Sequence, residues 1–141
     1  MENKISYLLR SVAMTYRHYA HNMLGKDRWG VSQDLIIYHL AQQKGLNQKE
    51  LVEKLNITPA SVSSLVNQME SEGLLVKVQD EKDARKFSLS LTGKGQSMVS
   101  QVIDSWLKIQ EEITEGFTNE EKATFLRFLK QVKQNLGKLT H

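Results

Sequence analysis

The chain has 141 residues, one proline, no cysteine and a net charge of +3, which fits one domain of ordinary size and excludes disulfides, thiol redox switching and the commonest zinc-finger ligand. No apolar run approaches the roughly 20 residues of a membrane span, and the N-terminus MENKISYLLRS lacks the layout of a secretion signal, so a cytoplasmic protein with no membrane partner is expected. The charge is uneven: residues 1–30 hold five Lys/Arg against two Asp/Glu, residues 31–95 eight against eight, and residues 96–141 six against six, so any attraction to phosphate depends on local placement.

Residues 4–24 read as a helix, because Ile5, Leu9, Val12, Tyr16, Tyr19 and Met23 recur at spacings of three and four and so share one face. Gly25 ends it, and GKDRWG reads as a loop. A second helix is predicted from Ser32 to Gln43. Asn47 is a good N-cap for a third helix ending near Asn56, with Glu50 placed to complete a capping box. Thr58 caps a fourth, Pro59 sits where a missing N–H is harmless, and Gly73 closes it. The short step from Leu55 to Pro59 is what a helix-turn-helix requires. The strand-like LLVKV and FSLSLT flank a charged tip, DEKDARK. Thr92 then starts a long helix to about Gly116, with Val99, Val102, Trp106, Ile109 and Ile113 as its seam. Thr118 and Glu121 form a second capping box before a last helix striped by Phe125, Leu129, Val132, Leu136 and Leu139.

This order gives a mainly α fold with a small β-hairpin: a winged helix-turn-helix with N- and C-terminal dimerisation helices. Residues 31–95 form the winged DNA-binding region, and residues 1–30 and 96–141 the dimerisation region. One subunit offers no obvious core for all three striped helices. An intramolecular bundle is one answer. A homodimer is favoured, because helix-turn-helix proteins usually read two half-sites.

On a helical wheel, Val62, Leu65, Val66 and Met69 face the core, while Ala60, Ser63, Ser64, Asn67 and Ser71 lie opposite with Ser61 and Gln68 on the flanks. The outward face is small and polar. Asn67 and Gln68 carry amides able to pair bidentately with adenine in a major groove. Ser61, Ser63 and Ser64 can reach phosphates or bases. At the tip, Arg85 suits a narrow minor groove. Asp83, two residues earlier on the same side of an extended strand, is placed to orient it. Lys82 and Lys86 are phosphate candidates. Polar helices and charged hairpin tips are often only solvated surface; here their succession is what points to double-stranded DNA.

These features together resemble the multiple-antibiotic-resistance regulator (MarR) family of winged-helix transcription regulators. The resemblance is carried by LNQKELVEKLNITPASVSSLVNQMESEGLLVKV, by the D-x-x-D-x-R of Asp80, Asp83 and Arg85, and by LSLTGKG from Leu89 to Gly95. It implies a dimer that binds an operator, usually as a repressor, and is released by a small ligand. Members often carry Arg or Lys where this chain has Ser64 and Gln68, a departure that weakens non-specific DNA affinity and flattens its salt dependence. The peroxide-sensing branch uses an N-terminal cysteine, which this chain lacks.

By the same resemblance, a small aromatic or acidic effector binds between the dimerisation helices and the winged region. Tyr7, Met14, Arg17, His18, Trp29, Tyr38 and His39 occupy the matching ground. Met and aromatic side chains adapt to apolar ligands, and a cation can meet a carboxylate. The same residues also read as interface packing, which an aromatic stripe at helical spacing more often is. His18 and His21 share a helical face, but the family's zinc sites include a cysteine, so no metal is expected, and no cofactor. No phosphate loop, nucleophile elbow or HExxH motif is present, which argues against an enzyme. The competing function is a winged protein-interaction module, and Arg85 is the residue that discriminates against it.

Overall fold

The computed structural model describes residues 3–24 and 32–140. Its elements are α1 (Lys4–Leu24), α2 (Gln33–Gln42), α3 (Gln48–Leu55), α4 (Pro59–Ser71), β1 (Leu75–Gln79), β2 (Phe87–Leu91), α5 (Gly93–Ser97), α6 (Val99–Ile113) and α7 (Asn119–Thr140). The GKDRWG segment with Trp29, the terminal His141 and the side chain of Met23 lie outside the described residues. Among the described residues no helix is long and apolar enough to cross a membrane.

Caps place the helices as the sequence indicates. The Asn47 side chain accepts from the Glu50 N–H at 2.8 Å, and Glu50 accepts from the Asn47 N–H at 3.2 Å. Thr118 and Glu121 repeat the exchange at 2.9 and 3.1 Å. Each reciprocal pair satisfies two N–H groups that a helix start leaves open.

The single helix expected from Thr92 to Gly116 is two helices, divided at Met98. The Met98 N–H bonds back only three residues, to the Gly95 carbonyl at 3.1 Å, a tighter turn than an α-helix makes. Gly93 and Gly95 are weak helix formers, and Gly95 is held under the neighbouring chain: a Cβ there would collide with the Leu74 carbonyl. Apolar spacing does not register such a contact.

The core belongs to the winged unit. Ile36, Ile37 and Leu40 of α2, Leu51 of α3, Val62, Val66 and Met69 of α4, Leu75 and Leu89 of the wing, and Val102 of α6 are all buried. β1 and β2 pair antiparallel from Leu75↔Leu91 to Gln79↔Phe87. A further rung, unanticipated from the sequence, joins Leu46 to Leu89, whose N–H bonds the Leu46 carbonyl at 2.8 Å. The α2–α3 connection thus becomes a third edge of the wing.

The terminal helices stand off this core. α1 packs on α6 and is tied to it by the Tyr19 hydroxyl, which donates to Glu112. Much of its apolar stripe is uncovered, with Ile5 83% exposed. On α7, Leu126, Phe128, Leu129 and Leu136 are exposed, and Leu139 is 82% exposed.

Candidate nucleic-acid interface

α4 is locked at both ends. Thr58 Oγ1 accepts from the Ser61 N–H at 3.1 Å and donates to the Ser61 hydroxyl at 2.9 Å. At the far end Gly73, with φ of 76°, closes a Schellman turn: Leu74 N–H bonds the Met69 carbonyl at 2.9 Å, and Gly73 N–H bonds that of Glu70 at 3.0 Å. Lys94 from α5 adds its Nζ to the Glu72 carbonyl at 3.0 Å, where the helix dipole favours a cation. Val62, Val66 and Met69 pin the inner face. Ser61, Ser64, Asn67 and Gln68 are exposed, whereas Ser63 is half-buried at the margin.

The two amides are not free. Lys77 of β1 shares the inner side of the hairpin with its partner Leu89, and its Nζ donates to Asn67 Oδ1 at 2.9 Å while standing 3.7 Å from Glu70 Oε1. Gln68 Nε2 donates to Glu72 Oε1 at 3.1 Å. Sequence reasoning did not single out Lys77 or Glu70. The four-residue step from Gln68 to Glu72 was an available signal.

The wing tip corrects one expectation. Asp83 does orient Arg85, but within a turn rather than along an extended strand. Asp83 Oδ1 accepts from both the Arg85 N–H at 3.0 Å and its Nε at 3.2 Å, and Oδ2 lies 3.4 Å from Nη2. Asp80 Oδ1 accepts from the N–H groups of Lys82 and Asp83 at 2.7 and 3.1 Å. The D-x-x-D-x-R spacing thus describes two side chains capturing backbone N–H groups in succession, a habit of Asp in turns. Two acids of the charged tip, Asp80 and Asp83, are spent on this scaffold. The Arg85 hydrogen bonds hold the Asp83 carboxyl below the usual carboxylate range. The Arg85 side chain is 91% exposed, and Lys82 and Lys86 are exposed beside it.

A cavity of about 720 Å³ opens between α1, α2, the start of α4 and Trp106 of α6. Among the described residues named for an effector, Arg17 alone lines it. Tyr7 and Met14 are exposed on the outer stripe of α1, and His18 lies 3.4 Å from Asn22 on that helix. These three follow at seven and four residues, one stripe of a helix; Tyr16 sits about 200° around from His18 and faces the cavity with Arg17 and His21. Tyr38 meets Trp106 at a tilt, with ring centroids 5.0 Å apart, and His39 edge-on at 5.5 Å. The sequence missed Tyr16, His21, Asp34 and Trp106, whose indole donates to Asp34 Oδ2 at 2.8 Å. Burial, then the Asp34 charge, raises the Tyr16 phenol above its ordinary value. Ser61 and Ser64 of α4 also line this cavity.

Comparison with known proteins agrees with the geometry. The chain is 24% identical over 103 residues to the HTH-type transcriptional repressor YetL of Bacillus subtilis, covering 73% of this chain and 62% of that protein. Across the curated relatives it spans 60 to 76% of their length. Its fold is similar to that in the S. aureus MepR–DNA complex, with TM-score 0.83, 23% identity, and 94% and 97% of the two chains covered. It is equally similar to Bordetella bronchiseptica BpsR, whose DNA binding is regulated by 6-hydroxynicotinic acid, with TM-score 0.84, 19% identity and 92% of each chain covered. Residues 30–86, from the start of the winged unit to the wing tip, thus match the MarR family model, and the helices and hairpin of the chain stand in the order of the winged-helix structures it resembles.

Proposed function

We propose that the chain acts in the cytoplasm as a homodimeric repressor. It reads a duplex operator with α4 in the major groove and the wing in the adjacent minor groove. Ser61, Ser64, Asn67 and Gln68 face the bases, with Ser63 at the edge. Arg85, oriented by Asp83, enters the minor groove, and Lys82 and Lys86 meet phosphates. The observation that carries this reading is the pairing of a rigid, small-residue polar helix with an exposed guanidinium fixed by its own turn. The match to the MarR family model favours DNA reading over a protein-interaction module, and relatives such as YetL are transcription regulators.

Residues 1–30 and 96–141 supply the dimer in this reading, and residues 31–95 the DNA contacts. α5 and the start of α6 also belong to the winged core through Val102. A small aromatic acid fits the cleft, its carboxylate toward Arg17 and His21 and its ring against Tyr16 and Trp106. A relative of the same fold, BpsR, is regulated by such an acid.

Selection of bound genomic fragments, followed by gel shift at two salt concentrations, tests the proposal. The expected site has two half-sites about 10 bp apart. Arg85→Ala is expected to weaken binding roughly 10- to 100-fold, and an aromatic acid in the gel shift to release the DNA. Fragments with no shared sequence, or an Arg85→Ala protein that binds as before, would overturn the assignment.

A further inference from the structure

Hydrogen-bonding character, rather than shape, decides what Asn67 offers to a groove. An ammonium can only donate, so the Asn67 atom 2.9 Å from Lys77 Nζ is the carbonyl oxygen, and Nδ2 is turned away. An amide whose two ends are nearly identical in outline is thereby given one orientation by charge. Glu70 holds the same ammonium at 3.7 Å, which keeps Lys77 beside α4. The neighbouring Gln68–Glu72 pair is a different matter. It lies one turn apart on a single exposed helix, and such pairs are weak. Lys77 comes from a second element, on the half-buried side of the hairpin, so its grip depends on how the wing packs against α4.

We propose that Lys77 is a positioning residue that sets base preference, resting on the DNA-reading function proposed above. It turns the Asn67 amide so that the helix presents a donor to the groove. A donor at that point favours a base whose major-groove edge carries an oxygen, guanine O6 or thymine O4. It disfavours one that carries an amino group, adenine N6 or cytosine N4. The bidentate adenine contact read from sequence for Asn67 is therefore replaced by discrimination of keto from amino bases. Without Lys77 the amide turns over, and both classes become admissible.

The test is selection from randomised duplexes with the full-length protein, its Lys77→Met and Lys77→Arg variants, and Asn67→Ala alone and combined with Lys77→Met. The wild type is expected to prefer G or T at one position per half-site. Lys77→Met flattens that position by roughly 2- to 10-fold, the range of one hydrogen bond, and leaves the other positions and the salt slope unchanged. Lys77→Arg, which still donates, retains the preference. Lys77→Met adds nothing once Asn67 is alanine. Glu70→Gln removes only the second anchor and gives a smaller shift in the same direction, independently of any disturbance of the wing by Lys77→Met. An unchanged preference in Lys77→Met and Glu70→Gln overturns the proposal. So does a uniform loss at every position with a salt slope reduced by about one, the mark of a phosphate contact. A wild-type protein that selects no sequence overturns the DNA-reading function itself, and the Lys77 role with it.

Discussion

At the scale of single residues, what could be read ahead depended on whether the determining partner was local. The inward set Val62, Val66 and Met69 followed from periodicity and is buried. The Asp83–Arg85 pair followed from a two-residue spacing, although the geometry is a turn. Asp80 and Asp83 each bind backbone N–H groups of nearby residues, and propensity alone does not weigh those bonds against an extended chain. Lys77 meeting Asn67 was beyond reach, since it needs the approach of a strand to a helix ten positions earlier. His39, named for the effector site, is a half-buried ring whose surroundings lower its pKa from the ordinary histidine value, through burial first and then Lys54 and Lys133. The sign follows directly. On acidification the unfolded chain takes up the proton first, so this contribution to stability is complete above the ordinary histidine range and is lost as pH falls through it toward the lower folded value. His39→Gln is expected to narrow the gap between urea midpoints measured at about pH 7.5 and about pH 5.5. An equal gap in both proteins would assign the acid sensitivity to other groups.

Among elements, caps and breakers proved the most informative signals, and tertiary contacts the least. Asn47, Thr58 and Thr118 marked helix starts because each cap is closed within four residues. The break at Met98 was hidden, and so was the close approach beside it of Gly95 to the Leu74 backbone. Gly95→Ala is accordingly expected to cost about 1–3 kcal/mol or more, because the atom in the way is main chain and cannot rotate aside. Gly93, two residues earlier, has open space where a Cβ would stand. Gly93→Ala should be neutral or stabilising by up to ~1 kcal/mol, by restricting the unfolded chain. Denaturant midpoints of the two variants, compared with wild type, decide whether the contact or mere glycine content governs this junction.

For the molecule as a whole, the winged unit has a closed core and the terminal helices do not. The stripes on α1 and α7 leave Ile5, Val12, Leu126, Leu129 and Leu139 exposed, and exposed apolar surface of this kind suits a partner. Their pattern was visible in sequence; which side chains of α1 turn toward the wing was not, and Tyr16 and His21 line the cleft. If a second copy covers the stripes, Val12→Asp or Leu129→Asp buries a charge at the seam and is expected to weaken self-association on the order of 100-fold or more. Sedimentation should then show single chains, and affinity for a full operator should fall toward that for one half-site. A wild-type protein that sediments as one chain at micromolar concentration would contradict the arrangement.

The hydroxyls of Ser61 and Ser64 belong to two surfaces at once, the outer face of α4 and the wall of the cleft. On the proposed reading, a molecule settled against them from behind alters what the double helix meets in front. Thermodynamic reciprocity then applies: a guest that loosens the operator by some factor must itself be held more loosely, by that same factor, whenever the operator is occupied.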